Sequence, residues 1–147
     1  MRMRAAIVPS LALLALPALA GCSLFGPTSV QEFAVGECVN LTADVTEEST
    51  EVGELPVVDC AEAHDAEVFH VTDTSLTEFD EDAITTEADL ACYDAFEGYV
   101  GIAYEESSIY YTLLYLTQES WDIDDRAIVC LLLGAEQLTG SLEGAGI

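Results

Sequence analysis

The chain has 147 residues, with 28 Asp plus Glu against three Arg and no Lys, a formal net charge of −25. So acidic a chain excludes nucleic-acid binding, because phosphate recognition needs clustered Lys and Arg. Half of the residues are apolar (51%), which excludes a disordered chain, since disorder needs high charge together with low hydrophobicity.

Residues 1–21 have the three parts of a signal peptide: a charged start with Arg2 and Arg4, an apolar run from Ala5 to Ala20, and small residues before a cut. The run has 16 residues, short of the ~20 that a membrane-spanning helix needs, and Pro9 and Pro17 interrupt it. Its end, Leu19-Ala20-Gly21-Cys22, resembles the lipobox of bacterial lipoproteins; a plain secretory peptide is the alternative. The resemblance implies lipidation of Cys22 by acyl chains of the palmitate class, and two or more chains make a stable anchor at roughly 0.8 kcal/mol per buried CH₂.

Cutting before Cys22 leaves 126 residues, which suits one domain, with 28 acids against Arg126 alone and a formal net charge of −27. Anionic headgroups repel that charge, so the anchor is the expected membrane contact. The acids could serve solubility, adaptation to salt, or binding of cations or basic partners. They are spread along the chain with small clusters at Glu47-Glu48 and Asp80-Glu81-Asp82, which favours solubility.

Residues 22–33 read as a tether from Cys22, and 34–133 as the folded domain. Ala34 to Val39 suggests a turn into a short strand. Thr42 to Glu54 is polar and acidic without period and reads as an exposed loop. Leu55 to Cys60 suggests a short strand with Pro56 at its entrance or on an edge. Ala66 to Thr72 suggests another, with Ala66, Val68, His70 and Thr72 on one face and Glu67, Phe69 and Val71 on the other. The best helix is Thr86 to Val100, capped by Thr86, with Leu90, Tyr93, Phe96 and Val100 as its apolar stripe and Cys92 and Tyr99 beside it. Ile109 to Thr117 and Arg126 to Leu133 read as strands, the second apolar enough to be central. Gln118 to Asp125 reads as an acidic loop carrying Trp121, and 134–147, with four glycines, as a flexible C-terminal tail. The predicted fold class is α+β: a small antiparallel sheet with one main helix packed on it, held by two disulfides.

With Cys22 at the processing site, Cys38, Cys60, Cys92 and Cys130 remain, and four cysteines allow three pairings. Sequence neighbours suggest Cys38 with Cys60 and Cys92 with Cys130, swapped pairings staying open. Zinc is the alternative use, but no Cys-x-x-Cys pair is present and the leader points to an oxidising compartment.

His64-Asp65-x-Glu67-x-x-His70 is the densest cluster of ligand types. In a strand its two histidines are about 20 Å apart at roughly 3.3 Å per residue, and in a helix they sit about 120° apart, so they do not share one metal. A structural role for His64, Asp65 and Glu67 at a turn into a strand is the expectation. No Gly-x-Ser-x-Gly elbow is present, and the cysteines are committed to anchoring or stapling. Asp122-x-Asp124-Asp125 lacks the Gly and distal Glu of an EF-hand loop. Neither a catalytic residue, a metal nor a cofactor is expected. Arg126, the lone cation of the mature chain, should pair with carboxylates and act as a structural hub with Asp125 and Trp121.

Three stretches together resemble the septum-formation domain of actinobacterial membrane proteins and lipoproteins: Val35 to Val39 around Cys38, Val57 to Phe69 with Cys60-Ala61-Glu62-Ala63-His64-Asp65-Ala66-Glu67-Val68, and Trp121 to Cys130 with Asp124-Asp125-Arg126. The closing Leu138-Thr139-Gly140-Ser141-Leu142 is similar to the family's end. Ala63 stands where the family tends to have Pro, and Asp124 where it tends to have Gly. The resemblance covers about residues 34–142 and implies an extracytoplasmic, disulfide-bonded domain linked to septation and the cell envelope. The expected function is a non-enzymatic binding or scaffold domain, lipid-anchored on the outer face of the cell membrane, with an unidentified envelope protein or cell-wall component as partner and no nucleic acid. A cation- or ligand-binding sensor of the envelope and an undetected enzyme are the alternatives.

Overall fold

The computed structural model describes residues 32–41, 55–114 and 116–147. The leader 1–21, the lipobox with Cys22, most of the tether and the acidic stretch 42–54 lie outside the described residues. In chain order the elements are β1 (Cys38–Val39), β2 (Val57–Val58), β3 (His64–Asp73), α1 (Glu81–Val100), a 3-10 turn (Tyr104–Glu106), β4 (Tyr110–Leu114), α2 (Gln118–Asp122) and β5 (Ala127–Leu138). The strands form one antiparallel sheet in the order β2-β1-β3-β5-β4, and α1 packs on one face of it. This is the expected α+β arrangement. None of the described helices is long and apolar enough to cross a membrane.

The long apolar run of β5 is buried on both sides, as befits an interior strand between β3 and β4. Alternation along it sorts the core into two layers. Ile128, Cys130 and Leu132 face α1 and join Phe69, Ala88, Cys92, Phe96 and Val100. Val129 and Leu131 point the other way and join Val39, Leu55, Ala66 and Val68.

The expected faces of β3 break at a bulge. Val68 pairs with Leu131 and His70 with Cys130, so Phe69 is an extra residue in the ladder. Phe69 therefore enters the helix-side cluster, while Val68 and Val71, three apart, share the opposite one. Strict alternation had grouped Phe69 with Val71.

Helix α1 begins five residues before the expected Thr86. Asp80 caps it, its carboxylate accepting from the Ala83 N–H at 3.0 Å, and Glu81 and Asp82 favour the positive end of the helix dipole. Thr86 instead donates its hydroxyl back to the Asp82 carbonyl at 2.8 Å. The buried row is Ile84, Ala88, Cys92, Phe96 and Val100, strictly four apart, whereas Leu90 is 60% exposed and Tyr93 is also exposed. The Cys92–Cys130 disulfide accounts for this rotation: a helix bonded to the sheet through Cys92 presents the neighbours four residues away on either side. The second disulfide joins Cys38 to Cys60. Both pairings are those suggested by sequence neighbours.

The expected flexible tail is instead structured. Strand β5 continues to Leu138, and Leu138 and Leu142 are buried. Between Leu133 and Leu138 the strand loops away from its partner, since those two residues pair with Ala66 and His64. Gly134 permits the bend, because a Cβ there would lie 2.7 Å from both the Glu136 carbonyl oxygen and the Leu138 side chain. Farther on, Gly144 and Gly146 adopt positive φ, and their N–H groups donate to the Tyr99 and Val100 carbonyls, each at 2.8 Å. These are carbonyls that the end of α1 leaves without helical partners. Glycines that read as flexibility serve here as left-handed turns.

Candidate functional site

A buried polar centre forms where β1, β2, β3, α1 and the C-terminal segment meet. Cys38 on β1 pairs across the ladder with Val58 of β2 and Glu67 of β3, and its disulfide reaches Cys60 just beyond β2. His64 and Glu67 are both fully buried. In a regular strand, residues three apart point to opposite faces. The irregularity between His64 and Ala66 cancels that alternation, and one ligating atom from each of Cys38, His64 and Glu67 falls within 4.8 Å of the others.

The Glu67 carboxylate is surrounded by donors. Oε1 accepts from the Tyr99 hydroxyl and the Ser141 hydroxyl, each at 2.6 Å, and Oε2 accepts from the Leu142 N–H at 2.7 Å. Burial, followed by the hydrogen bond to Glu67, pushes the Tyr99 hydroxyl far above the usual tyrosine range, so it stays a donor. A buried carboxylate is tolerable only with such a set of partners. Glu67 thereby ties the sheet to the helix and to the C-terminal segment at once.

His64 is partnered on one side only. Its Nδ1 lies 2.9 Å from the Glu62 carbonyl oxygen, which can only accept, so Nδ1 carries the proton. The buried Nε2 has no hydrogen-bond partner, a situation that costs about 1–3 kcal/mol. Asp65, the next residue, accepts from the Leu41 N–H at 2.9 Å and from the Gln137 amide at 3.1 Å. His64, Asp65 and Glu67, where the sequence pattern suggested a structural role, lie together at the start of β3.

As a metal centre the group is incomplete in this oxidised form, because the Cys38 sulfur is spent in a disulfide and offers no thiolate. Among the described residues this is the single group of three potential ligands; it excludes His70, and Asp122, Asp124 and Asp125 form no such group.

Arg126 sits apart from this centre. It was expected to pair with carboxylates, but its main partners are backbone carbonyls and a ring. One guanidinium nitrogen donates to the Trp121 carbonyl at 2.9 Å and the Asp125 carbonyl at 2.8 Å, and the guanidinium stacks 3.6 Å from the Trp121 ring centre. Among the described residues its one carboxylate contact, 3.4 Å to Asp124, is to a side chain 95% exposed and is worth little. Asp125 accepts from the Ala127 N–H at 3.0 Å and so starts β5. The Arg126 carbonyl accepts from the Thr74 N–H, and Phe79 packs edge-on against Trp121, linking this turn to the approach to α1. Asp124 has φ of 69°, a conformation that Gly adopts freely and that Asp tolerates.

Sequence reasoning passed over Tyr99, Gln137, Ser141 and Leu142. The Leu138 to Leu142 stretch carried a signal in its likeness to the family's end, but the glycines around it outweighed that signal.

Comparison with curated proteins and with solved structures returns no significant match. The family profile described as septum formation matches residues 27–130, a span that takes in the hub at His64, Asp65 and Glu67, all four disulfide cysteines and the Arg126 turn. The chain belongs to the septum-formation family.

Proposed function

We propose that this protein is a lipid-anchored, extracytoplasmic domain of the cell envelope that binds or scaffolds rather than catalyses, with its role in septum formation. The observation that carries the reading is the pair of disulfides, Cys38–Cys60 and Cys92–Cys130, which persist in oxidising compartments. The lipobox-like Leu19-Ala20-Gly21-Cys22 supplies the anchor in this reading. A binding role draws support from how the buried polar groups are used: Glu67 accepts three hydrogen bonds that hold elements together, and the four downstream cysteines are bonded in pairs.

Metabolic labelling with a palmitate analogue tests the anchor. Label should enter the wild type and be absent from Cys22→Ser, which should leave the membrane fraction; a membrane-bound, labelled Cys22→Ser protein sinks the assignment. Cross-linking in intact cells tests the scaffold role, with a discrete envelope protein or cell-wall component as the expected capture. Capture that is no greater than for an unrelated secreted domain on the same anchor overturns it.

A further inference from the structure

Two buried side-chain atoms among the described residues have no hydrogen-bond partner, Asn40 Oδ1 and His64 Nε2, and His64 Nε2 is the one beside other potential metal ligands. It is buried and has no partner, while Nδ1 meets the Glu62 carbonyl. A metal-ligating histidine is held in this way, one ring nitrogen fixed by a backbone carbonyl and the other left for the ion. The Cys38 sulfur and the Glu67 carboxylate lie in the same small volume, all three ligating atoms within 4.8 Å of one another. Ligands around tetrahedral Zn²⁺ stand about 3.5 Å apart, given bonds of roughly 2.0–2.3 Å, so closure needs shifts on the order of 1 Å. Only the disulfide stands in the way.

We propose that reduction of the Cys38–Cys60 disulfide converts this centre into a Zn²⁺ site, with Cys38, His64 and Glu67 as ligands. Cys60 is partly exposed, whereas Cys38 and both cysteines of the other disulfide are fully buried, so a thiolate reaches Cys60 first. A dithiol reductant attacks the Cys60 sulfur, the bond to Cys38 breaks, and Cys38 leaves as a thiolate. The reductant's second thiol then resolves the mixed disulfide. The protein disulfide gains two electrons and two protons, and the dithiol becomes a disulfide. Zn²⁺ binding releases the Cys38 thiol proton to solvent. Glu67 keeps lone pairs for Tyr99, Ser141 and Leu142, which then orient a ligand instead of a bare carboxylate. The fold thus has two closed forms of the same corner, one covalent and one metal-bound.

The experiment uses the folded chain treated with a phosphine reductant, which does not compete for metal as a dithiol does. Free thiols are counted, Co²⁺ and Zn²⁺ are titrated, and helical circular dichroism is followed. The reduced wild type should take up one ion per chain, with Co²⁺ giving thiolate charge-transfer bands and Zn²⁺ preserving the helical signal. Cys60→Ser, which frees Cys38 without any reductant and leaves Cys92–Cys130 intact, should bind at the same place. His64→Gln should weaken uptake by more than about tenfold. Equal uptake by the oxidised protein, no uptake by either the reduced wild type or Cys60→Ser, or uptake indifferent to His64→Gln overturns the proposal.

Discussion

The two disulfides close loops of similar size, 22 and 38 residues apart, and the chain-entropy account assigns each about 3–4 kcal/mol. Their surroundings differ completely. Cys92–Cys130 lies in the apolar layer between α1 and the sheet, among Phe69, Phe96, Ile128 and Leu132. Cys38–Cys60 lies beside a buried carboxylate and a half-partnered imidazole, with Cys60 near the surface. The bond's entropic effect is therefore nearly the same in both places, and what each region can do besides is set by its neighbours. The apolar region has dispersion and burial alone. The polar region is held by directed hydrogen bonds to Glu67 that converge from α1 and the C-terminal segment, so it is both stiff and sensitive to a single side chain.

The comparison can be broken from either side. In the apolar layer, Phe96 is fully buried and meets Phe69 and Tyr104 edge-on with ring centres 6.0 and 5.1 Å away. Phe96→Ala should cost about 3–5 kcal/mol in chemical denaturation, the largest effect expected. In the polar centre, Glu67→Gln keeps the volume but turns an amide donor towards groups that are themselves donors. A loss of about 2–4 kcal/mol is expected, and a loss under about half a kcal/mol would mean that the polar centre is ornamental.

The Arg126 turn is intermediate in kind, part stacking and part hydrogen bond. Arg126→Ala should cost about 1–2 kcal/mol, seen as a melting temperature several degrees lower; a change within a degree or so would remove Arg126 from the hub. Tyr111 offers a pH test of the helix-side layer. Burial, then its hydrogen bond to Asp89, pushes its hydroxyl up to about 12 from the ordinary 10.0. A folded-state value raised above the unfolded one means a contribution that is complete below pH 10 and lost as pH rises through about 12. Denaturation midpoints measured across that window should fall less steeply for Tyr111→Phe than for wild type, and parallel slopes would contradict the assignment. The smallest expected effect is at Asp124. Relief of its φ of 69° by Asp124→Gly should outweigh the exposed contact to Arg126 and stabilise by less than about 1 kcal/mol; a clear destabilisation would give that ion pair more weight than its exposure suggests.

Legibility in the sequence followed the range of the interaction. The long strands and the main helix were readable because β5 is a continuous apolar run and because α1 is long, whereas Gln118–Asp122, expected as part of an acidic loop, forms the short helix α2 capped by Thr117. The rotation of α1 was not readable, since Leu90 and Tyr93 are as apolar as the residues that face the sheet, and the bond from Cys92 to Cys130 decides between the rows. The hub residues His64, Asp65 and Glu67 were visible as a motif. Their partners Tyr99, Gln137, Ser141 and Leu142 were not, being 32 to 75 residues distant from them.

By itself the sequence determined the α+β class, one helix on an antiparallel sheet, because periodicity and turn residues are local properties of a chain; it suggested the pairing of neighbouring cysteines, and the structure decided it. Only the tertiary structure decided that residues 134–147 pack against α1 and Glu67, and that Phe69 and His64 escape the alternation of their strand. It alone brought Cys38, His64 and Glu67 into one buried volume. A bulge, a left-handed glycine and a buried hydrogen-bond network each depend on what the rest of the fold places opposite them, and no local pattern carries that information.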